Sequence, residues 1–447
     1  LSHKAGTHEA YRKDQKKDDQ KKVAERGDLA PMKGKVAVLL THRYPYGRGE
    51  EFIHQEAGYL AQGFSRLIII PEEKSAARRT FPGEAVLEEF SWELPGRLKR
   101  WLFYGTALFR PAFIGEVINI NRRYRIKLSF SLVKHLIFYL FLAHLKARGI
   151  EKCITPLLRE GNEVTLYSYW SGLMAVAAAR VKNKMKKDVK LVIRAHGGDL
   201  YFERSPYQYI PLRRFLYKAC DYMSFVTRQG QLYFMEKHQI RASEKMGVDY
   251  LGSEKMEMSG AFDTKVFRML SCSHVIPLKN LTLIAEALRG VDQRRVEWIH
   301  VGDGAMYEAV KKSCEEILSG SPHVSVRFVG YLPPEDLKAF YKESFFHLFV
   351  NVSRSEGLPV TIMEALSAGI PVMAPDIGGI GECIHEQNGL LLTSSPGPEE
   401  VREGILKFSR LDEQEWRAYS REALRTWEAM FSPARTAALF VKKIRDV

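Results

Sequence analysis

Glu356 and Glu364 stand eight positions apart in SRSEGLPVTIMEALSAGIPV, residues 353–372. Glu356 lies in a Ser/Gly turn. Glu364 lies in a run that reads as a short helix, with Pro359 near its first turn and Gly369 at its end. The free amides of a helix start, with the positive end of its macrodipole, attract anions. A pyrophosphate held there would have one carboxylate on each flank of the ligand. The spacing fits a helix-start acid and a surface glutamate equally well, so the rest of the chain has to decide.

The elements that would position these residues are strands. KVAVLLT (35–41), RLIIIP (66–71), EVTLYSY (163–169), KLVIRAH (190–196) and YMSFVT (222–227) form one series. FRMLSCS (267–273), VEWIHVG (296–302), VSVRFVG (324–330), FHLFVN (346–351) and PVMAP (371–375) form a second. Continuous apolar runs separated by helical patterns indicate parallel strands buried on both faces. The chain is therefore expected to be α/β, with two Rossmann-like, doubly wound parallel-sheet domains and a cleft between them. Their expected bounds are 32–255 and 256–447, with the last helices crossing back to the first domain. Residues 92–150 break the alternation and read as a helical insertion rich in aromatic and basic residues. Ligands of such sheets bind outside the carboxyl ends of the strands, so polar residues just after strands carry most weight.

Bulk properties narrow the class. A chain of 447 residues exceeds one ordinary core. Its 45% hydrophobic and 27% charged residues are ordinary for a globular protein, but a net charge of +14 implies attraction to something anionic. Cys153, Cys220, Cys272, Cys314 and Cys383 are scattered singly, as expected for reduced thiols. Residues 1–31 read as a solvated tail or leader, with Met32 as the expected natural start. The most apolar run, LIFYLFLA (136–143), is shorter than the roughly 20 residues of a membrane span, so no crossing is expected. No D-x-D and no zinc-spaced His/Cys set occurs, so no metal is expected.

With the motifs in place, the chain resembles a known family. The E-x7-E spacing, followed by EALSAGIPVMAPDIGGIGE, is similar to the signature of retaining, nucleotide-sugar-dependent glycosyltransferases of family 4, which have the GT-B fold. YPYGRGEEFI, SYWSG, RAHGGDLYFER, SCSHVIPLKN, HVGDG and FVGYL follow in matching order. Each motif is weak alone; in order they are specific for the family and poor at naming a substrate.

The resemblance implies roles. Glu364 would bind the ribose hydroxyls and Glu356 the hydroxyls of the donor sugar. Amides near Gly357, Leu358 and Val360 would hold the distal phosphate, and Lys279 would neutralise the departing diphosphate. His196 would contact the transferred sugar near its reacting carbon. Asp199 would orient His196 or cap the next helix. Gly47 and Gly49 would let backbone approach donor phosphate or acceptor, although an ordinary turn explains them almost as well. Gly302, Asp303 and Gly304, with Gly330 and Tyr331, would shape the base and sugar pocket. One departure stands out: His274 occupies a position where the family usually has arginine. A histidine is charged only part of the time near neutrality, so donor binding is expected to improve at mildly acidic pH.

The expected function is retaining transfer of a hexose-type sugar from a nucleotide-diphosphate sugar, with UDP as the expected nucleotide, to a glycan or lipid-linked acceptor in cell-surface polysaccharide synthesis. No cofactor or metal is expected. The basic, aromatic stretches 96–110 and 121–141 suggest peripheral contact with an anionic membrane from the cytoplasmic side, or equally a packed insertion with solvated charges. Two alternatives stay open: a GT-B-fold sugar-nucleotide epimerase, and an inactive relative that binds sugar nucleotide or a partner. The basic residues form no recognised nucleic-acid module.

Overall fold

The computed structural model describes residues 32–447 except 76–77, 83–84, 91, 93–95, 97–102 and 293. The expected tail at 1–31 and part of the basic stretch 96–110 thus lie outside the described residues. Each strand series builds one fully parallel sheet. The first contains β1 (Met32–Thr41), β2 (Phe64–Pro71), β3 (Ala85–Leu87), β4 (Glu163–Ser168), β5 (Val189–Ala195), β6 (Tyr222–Phe225) and β7 (Met246–Val248). Its order is β3-β2-β1-β4-β5-β6-β7. The second contains β8 (Val266–Cys272), β9 (Arg295–Val301), β10 (Val324–Gly330), β11 (Leu348–Val350), β12 (Val372–Pro375) and β13 (Gly389–Leu392), ordered β10-β9-β8-β11-β12-β13.

Register is set by the apolar runs: Val38 pairs with Ile68 on one side and Leu166 on the other. All three face helices Phe130–Arg159 and Leu173–Met185 in one buried cluster. The alternate residues Ala37, Leu39, Ile69 and Tyr167 face helices Ile53–Gly63 and Pro433–Asp446. Each fully buried Ile or Leu here contributes about 1.5–3 kcal/mol. The final helix is tied to the first sheet by charge as well. Lys35 Nζ donates to the Arg445 carbonyl at 2.7 Å, and the buried Arg194 guanidinium stacks on Phe440 at 3.9 Å.

β3, β7 and β13 have no counterpart in the sequence reading. They are short strands at sheet edges and only partly buried, whereas the equally short β6, β11 and β12 are buried throughout. The apolar run 136–143 also proves to be part of something longer. It sits in the 30-residue helix Phe130–Arg159, whose best window has a mean hydropathy of 1.3, enough by length and composition to cross a bilayer. Its inner face is nevertheless core: Leu132, Leu136, Leu140, Ala143 and Ile150 are buried, and Lys146 is buried 3.4 Å from Glu72.

Each sheet changes winding direction beside its first strand, between β1 and β4 and between β8 and β11. Crevices for ligands form at the carboxyl ends of strands at such points. Both crevices open into one cleft.

Candidate active site in the cleft between the sheets

The second domain contributes the loops after β8, β9, β10 and β11. Helix Val360–Ser367 begins just after Pro359, whose extended backbone and lack of a side-chain acceptor leave the first amides uncapped by that residue. Glu356, only 8% exposed, sits directly before it. Lys279, in the short turn Pro277–Lys279 after β8, donates through Nζ to Glu356 Oε1 at 2.5 Å. Asn351 Nδ2 lies 3.4 Å from the same oxygen. Ammonium and carboxylate therefore pair beside an anion-attracting helix start.

Glu364 is half-buried one turn into the helix. Desolvation, assisted by the nearby charges of Glu254 and Glu51, pushes its pKa up to about 8. It carries a proton at neutral pH, which also relieves its repulsion from those two acids.

The first domain contributes the loops after β1, β4 and β5. His196 follows β5 and is 6% exposed. Its Nε2 lies 3.0 Å from the Tyr169 carbonyl, and since a carbonyl only accepts, Nε2 carries the proton. The ring stacks on Tyr169 at 5.1 Å and lies against Trp170 at 4.3 Å. Desolvation, with the Arg194 charge behind it, lowers its pKa to about 3. His196 is a neutral hydrogen-bonding and packing group, not a proton donor at neutral pH. Asp199 both orients and caps: Oδ1 accepts from His196 N at 2.7 Å and Oδ2 from Ser171 N at 2.5 Å. Burial raises its pKa to about 6, with Arg213 and those amides pulling the other way. Gly47 and Gly49 take φ of +60° and +98°, the left-handed region that favours glycine. Glu50 pins their loop, accepting from Arg43 N and Tyr44 N at 2.5 Å each and from the Trp170 indole.

The walls meet. A Cβ at Gly197 would lie 3.1 Å from Gly357 Cα, so the His196 and Glu356 loops are in direct contact. Arg204 reaches across to Ser355 Oγ, with Nε at 3.0 Å and Nη2 at 2.6 Å. Arg48, between the two loop glycines, donates to Asp303 Oδ2 at 3.1 Å and covers the Tyr331 ring at 4.0 Å. Gly302 (φ +137°) and Gly330 (φ +84°) join in an isolated bridge behind Asp303 and Tyr331. Glu382 caps the first-domain helix Arg228–His238, accepting from Arg228 N and Gln229 N at 2.9 Å each.

The structure thus brings Glu356, Lys279 and the turn at Gly357, Leu358 and Val360 against His196. It places Asp303 and Tyr331 under the Gly47–Gly49 loop. His274 is at the rim, with its side chain 65% exposed and Nδ1 4.0 Å from Asp303 Oδ1. The sequence reading missed Arg48, Trp170, Arg204, Ser355 and Glu382. Arg48 had a signal, lying between two glycines already singled out, and Arg204 ends the RAHGGDLYFER run. Trp170 in SYWSG, Ser355 in SRSEG and Glu382 at the end of EALSAGIPVMAPDIGGIGE also lie in stretches already singled out, but only tertiary contact gives them a role.

Comparisons with known proteins bear on the family and the fold. Residues 267–410 match the sequence model of the glycosyl transferases group 1 family. An amylovoran biosynthesis glycosyltransferase of Erwinia amylovora is 29% identical over 160 residues, 33% of this chain and 38% of that protein. A putative colanic acid biosynthesis glycosyltransferase of Escherichia coli is 23% identical over 254 residues, 55% of this chain and 61% of that protein. In each case the match spans less than two thirds of the relative. Among solved structures, Anabaena HepE in complex with UDP and glucose superposes with a TM-score of 0.61 at 15% identity, covering 92% of this chain and 99% of that one. The lipopolysaccharide outer core galactosyltransferase WaaB gives 0.63 at 13% identity, covering 92% and 100%. The fold is GT-B.

Proposed function

We propose that the cleft transfers a hexose-type sugar from a nucleotide-diphosphate sugar, with UDP as the nucleotide, to a glycan or lipid-linked acceptor of a cell-surface polysaccharide. In this reading the enzyme is a retaining glycosyltransferase of family 4. One observation carries the reading: a cation, a carboxylate and a free helix start converge at one point, directly across from a buried neutral histidine. The diphosphate replaces Glu356 as the partner of Lys279 and bonds to the helix amides. The freed Glu356 carboxylate and His196 then hold the sugar. As the C1–phosphate bond breaks, Lys279 and the amides stabilise the charge developing on the leaving group. The acceptor oxygen bonds to C1 on the same face, and its proton passes to a departing phosphate oxygen, which gives retention. Lys279 and the helix start supply the positive charge, so the reading requires neither metal nor cofactor. The five unpaired cysteines support a reducing, cytoplasmic setting.

The test is turnover. The full chain is incubated with UDP-, GDP- and ADP-hexoses, with and without EDTA, and release of the nucleoside diphosphate is followed. Release from one class that is unaffected by EDTA is expected; no release from any donor, with or without acceptor extract, contradicts the reading.

Glu364 makes the reading pH-dependent. Its protonated state contributes to stability below the unfolded value near 4.5, and that contribution fades as pH rises through about 8. Ribose hydroxyls donate best to the ionised carboxylate, so nucleotide binding favours proton loss. Affinity should therefore rise with pH, by up to about tenfold per unit below pH 8. Glu364→Gln should flatten this rise. Calorimetric titration at pH 6, 7 and 8 tests this; an identical profile for Glu364→Gln and wild type rules out the role given to Glu364.

A further inference from the structure

The helical insertion carries a second surface that the cleft does not use. Seven of the eleven exposed large hydrophobic residues among the described residues fall between 108 and 138, with Phe109 79% and Phe130 85% exposed. Their spacing is ordered. Ile114 and Ile118 share the outer face of helix Pro111–Ile118, while Phe113 and Glu116 face inward. Phe130, Lys134 and Phe138 share the outer face of helix Phe130–Arg159, while Leu132 and Leu136 face inward.

Charge on this face has one sign. Residues 103–138 contain six Lys/Arg and one acid, Glu116. Glu116 is buried and accepts from Leu212 N at 2.6 Å. Arg122, Arg125, Lys127 and Lys134 are exposed, and among the described residues none has an acidic partner.

The location is also specific. Helix Phe130–Arg159 runs back into β4, so its first residues lie at the carboxyl ends of the strands, where the cleft opens. Its 30 residues rise roughly 45 Å. The six-residue β4 spans roughly 20 Å, so the helix start overhangs the cleft end of the domain. The inner side of the insertion rests on the segment that follows His196. Ser131 Oγ lies 3.1 Å from Tyr207 Oη, and the Tyr124 and Phe202 rings are 5.2 Å apart.

We infer that this face docks the protein on an anionic lipid bilayer. Its apolar side chains enter the interface, its Arg and Lys lie at the headgroups, and the cleft mouth is held near the membrane. The docking itself stands apart from the proposed chemistry. Only its purpose, bringing the cleft to a lipid-linked acceptor, rests on that reading. A second copy of the chain fits this surface poorly, because a self-complementary contact would set unpaired cations against cations.

The full chain is mixed with phosphatidylcholine vesicles, with or without phosphatidylglycerol, and sedimented at low and high salt. Binding to the anionic vesicles at low salt is expected, weakened at least about tenfold by Phe109→Ser/Phe130→Ser and, separately, by Arg125→Gln/Lys127→Gln/Lys134→Gln. Nucleotide binding by the same variants should be unchanged, which checks their folding and keeps this test distinct from that of the chemistry. Three results would overturn the inference: no sedimentation of wild type, equal sedimentation of the variants, or a wild-type dimer that Phe109→Ser/Phe130→Ser converts to monomer.

Discussion

Glu356→Ala is expected to lower sugar transfer by roughly 10²–10³-fold or more, the loss typical when one group aimed at a reacting centre is removed. Nucleoside diphosphate affinity should hold or rise in the same variant. The reason is the 2.5 Å contact between Lys279 and Glu356. The carboxylate competes with phosphate for the ammonium, so its removal frees Lys279 for the diphosphate. Opposite movements of rate and affinity are not produced by general damage to the fold. Glu356→Gln keeps the shape and an acceptor near Asn351, and should show the same division in milder form. Parallel loss of binding and turnover in Glu356→Ala would mean that the residue is structural.

Lys279→Ala carries the second-largest expected effect, a fall in kcat of about 10²–10³-fold with a weaker donor KM. Lys279 stands at the end of a short turn, next to Asn280 in the left-handed region (φ +53°), and its ammonium is held by Glu356. Its charge is therefore placed before the donor arrives, as catalysis by electrostatic stabilisation requires. Lys279→Arg should restore little, because a planar fork cannot occupy the point contact an ammonium makes with Glu356. Steady-state rates with the donor found active in the panel decide this, and full activity of Lys279→Ala removes the residue from the mechanism.

Much of this cleft could be read from the chain before folding, for a definite physical reason. Strands buried on both faces must be continuously apolar, so β1, β2, β4, β5, β6, β8, β9, β10, β11 and β12 all leave runs, and polar residues just after them fall at the cleft. Glu356, Lys279, His196 and Asp303 each follow a strand in this way, but their roles were carried by the family resemblance rather than by position. What could not be read was the pairing. Nothing in the spacing of Lys279 and Glu356 says that they pair with each other. Nothing in RAHGGD says that burial against Arg194 makes the histidine neutral. Arg48 shows the same limit: its flanking glycines mark a turn, but only the closed cleft aims its guanidinium at Asp303 and Tyr331. The strands β3, β7 and β13 escaped because they lie at sheet edges and are only partly buried, so their residues need not be continuously apolar.

The central claim is that Lys279 and the start of helix Val360–Ser367 form a diphosphate site. Calorimetric titration of wild type and Lys279→Ala with UDP and with UMP tests it most directly. The account predicts that wild type binds UDP at least about tenfold more tightly than UMP, and that most of this difference disappears in Lys279→Ala. Equal affinity of wild type for UDP and UMP, or a UDP preference that survives in Lys279→Ala, would contradict it.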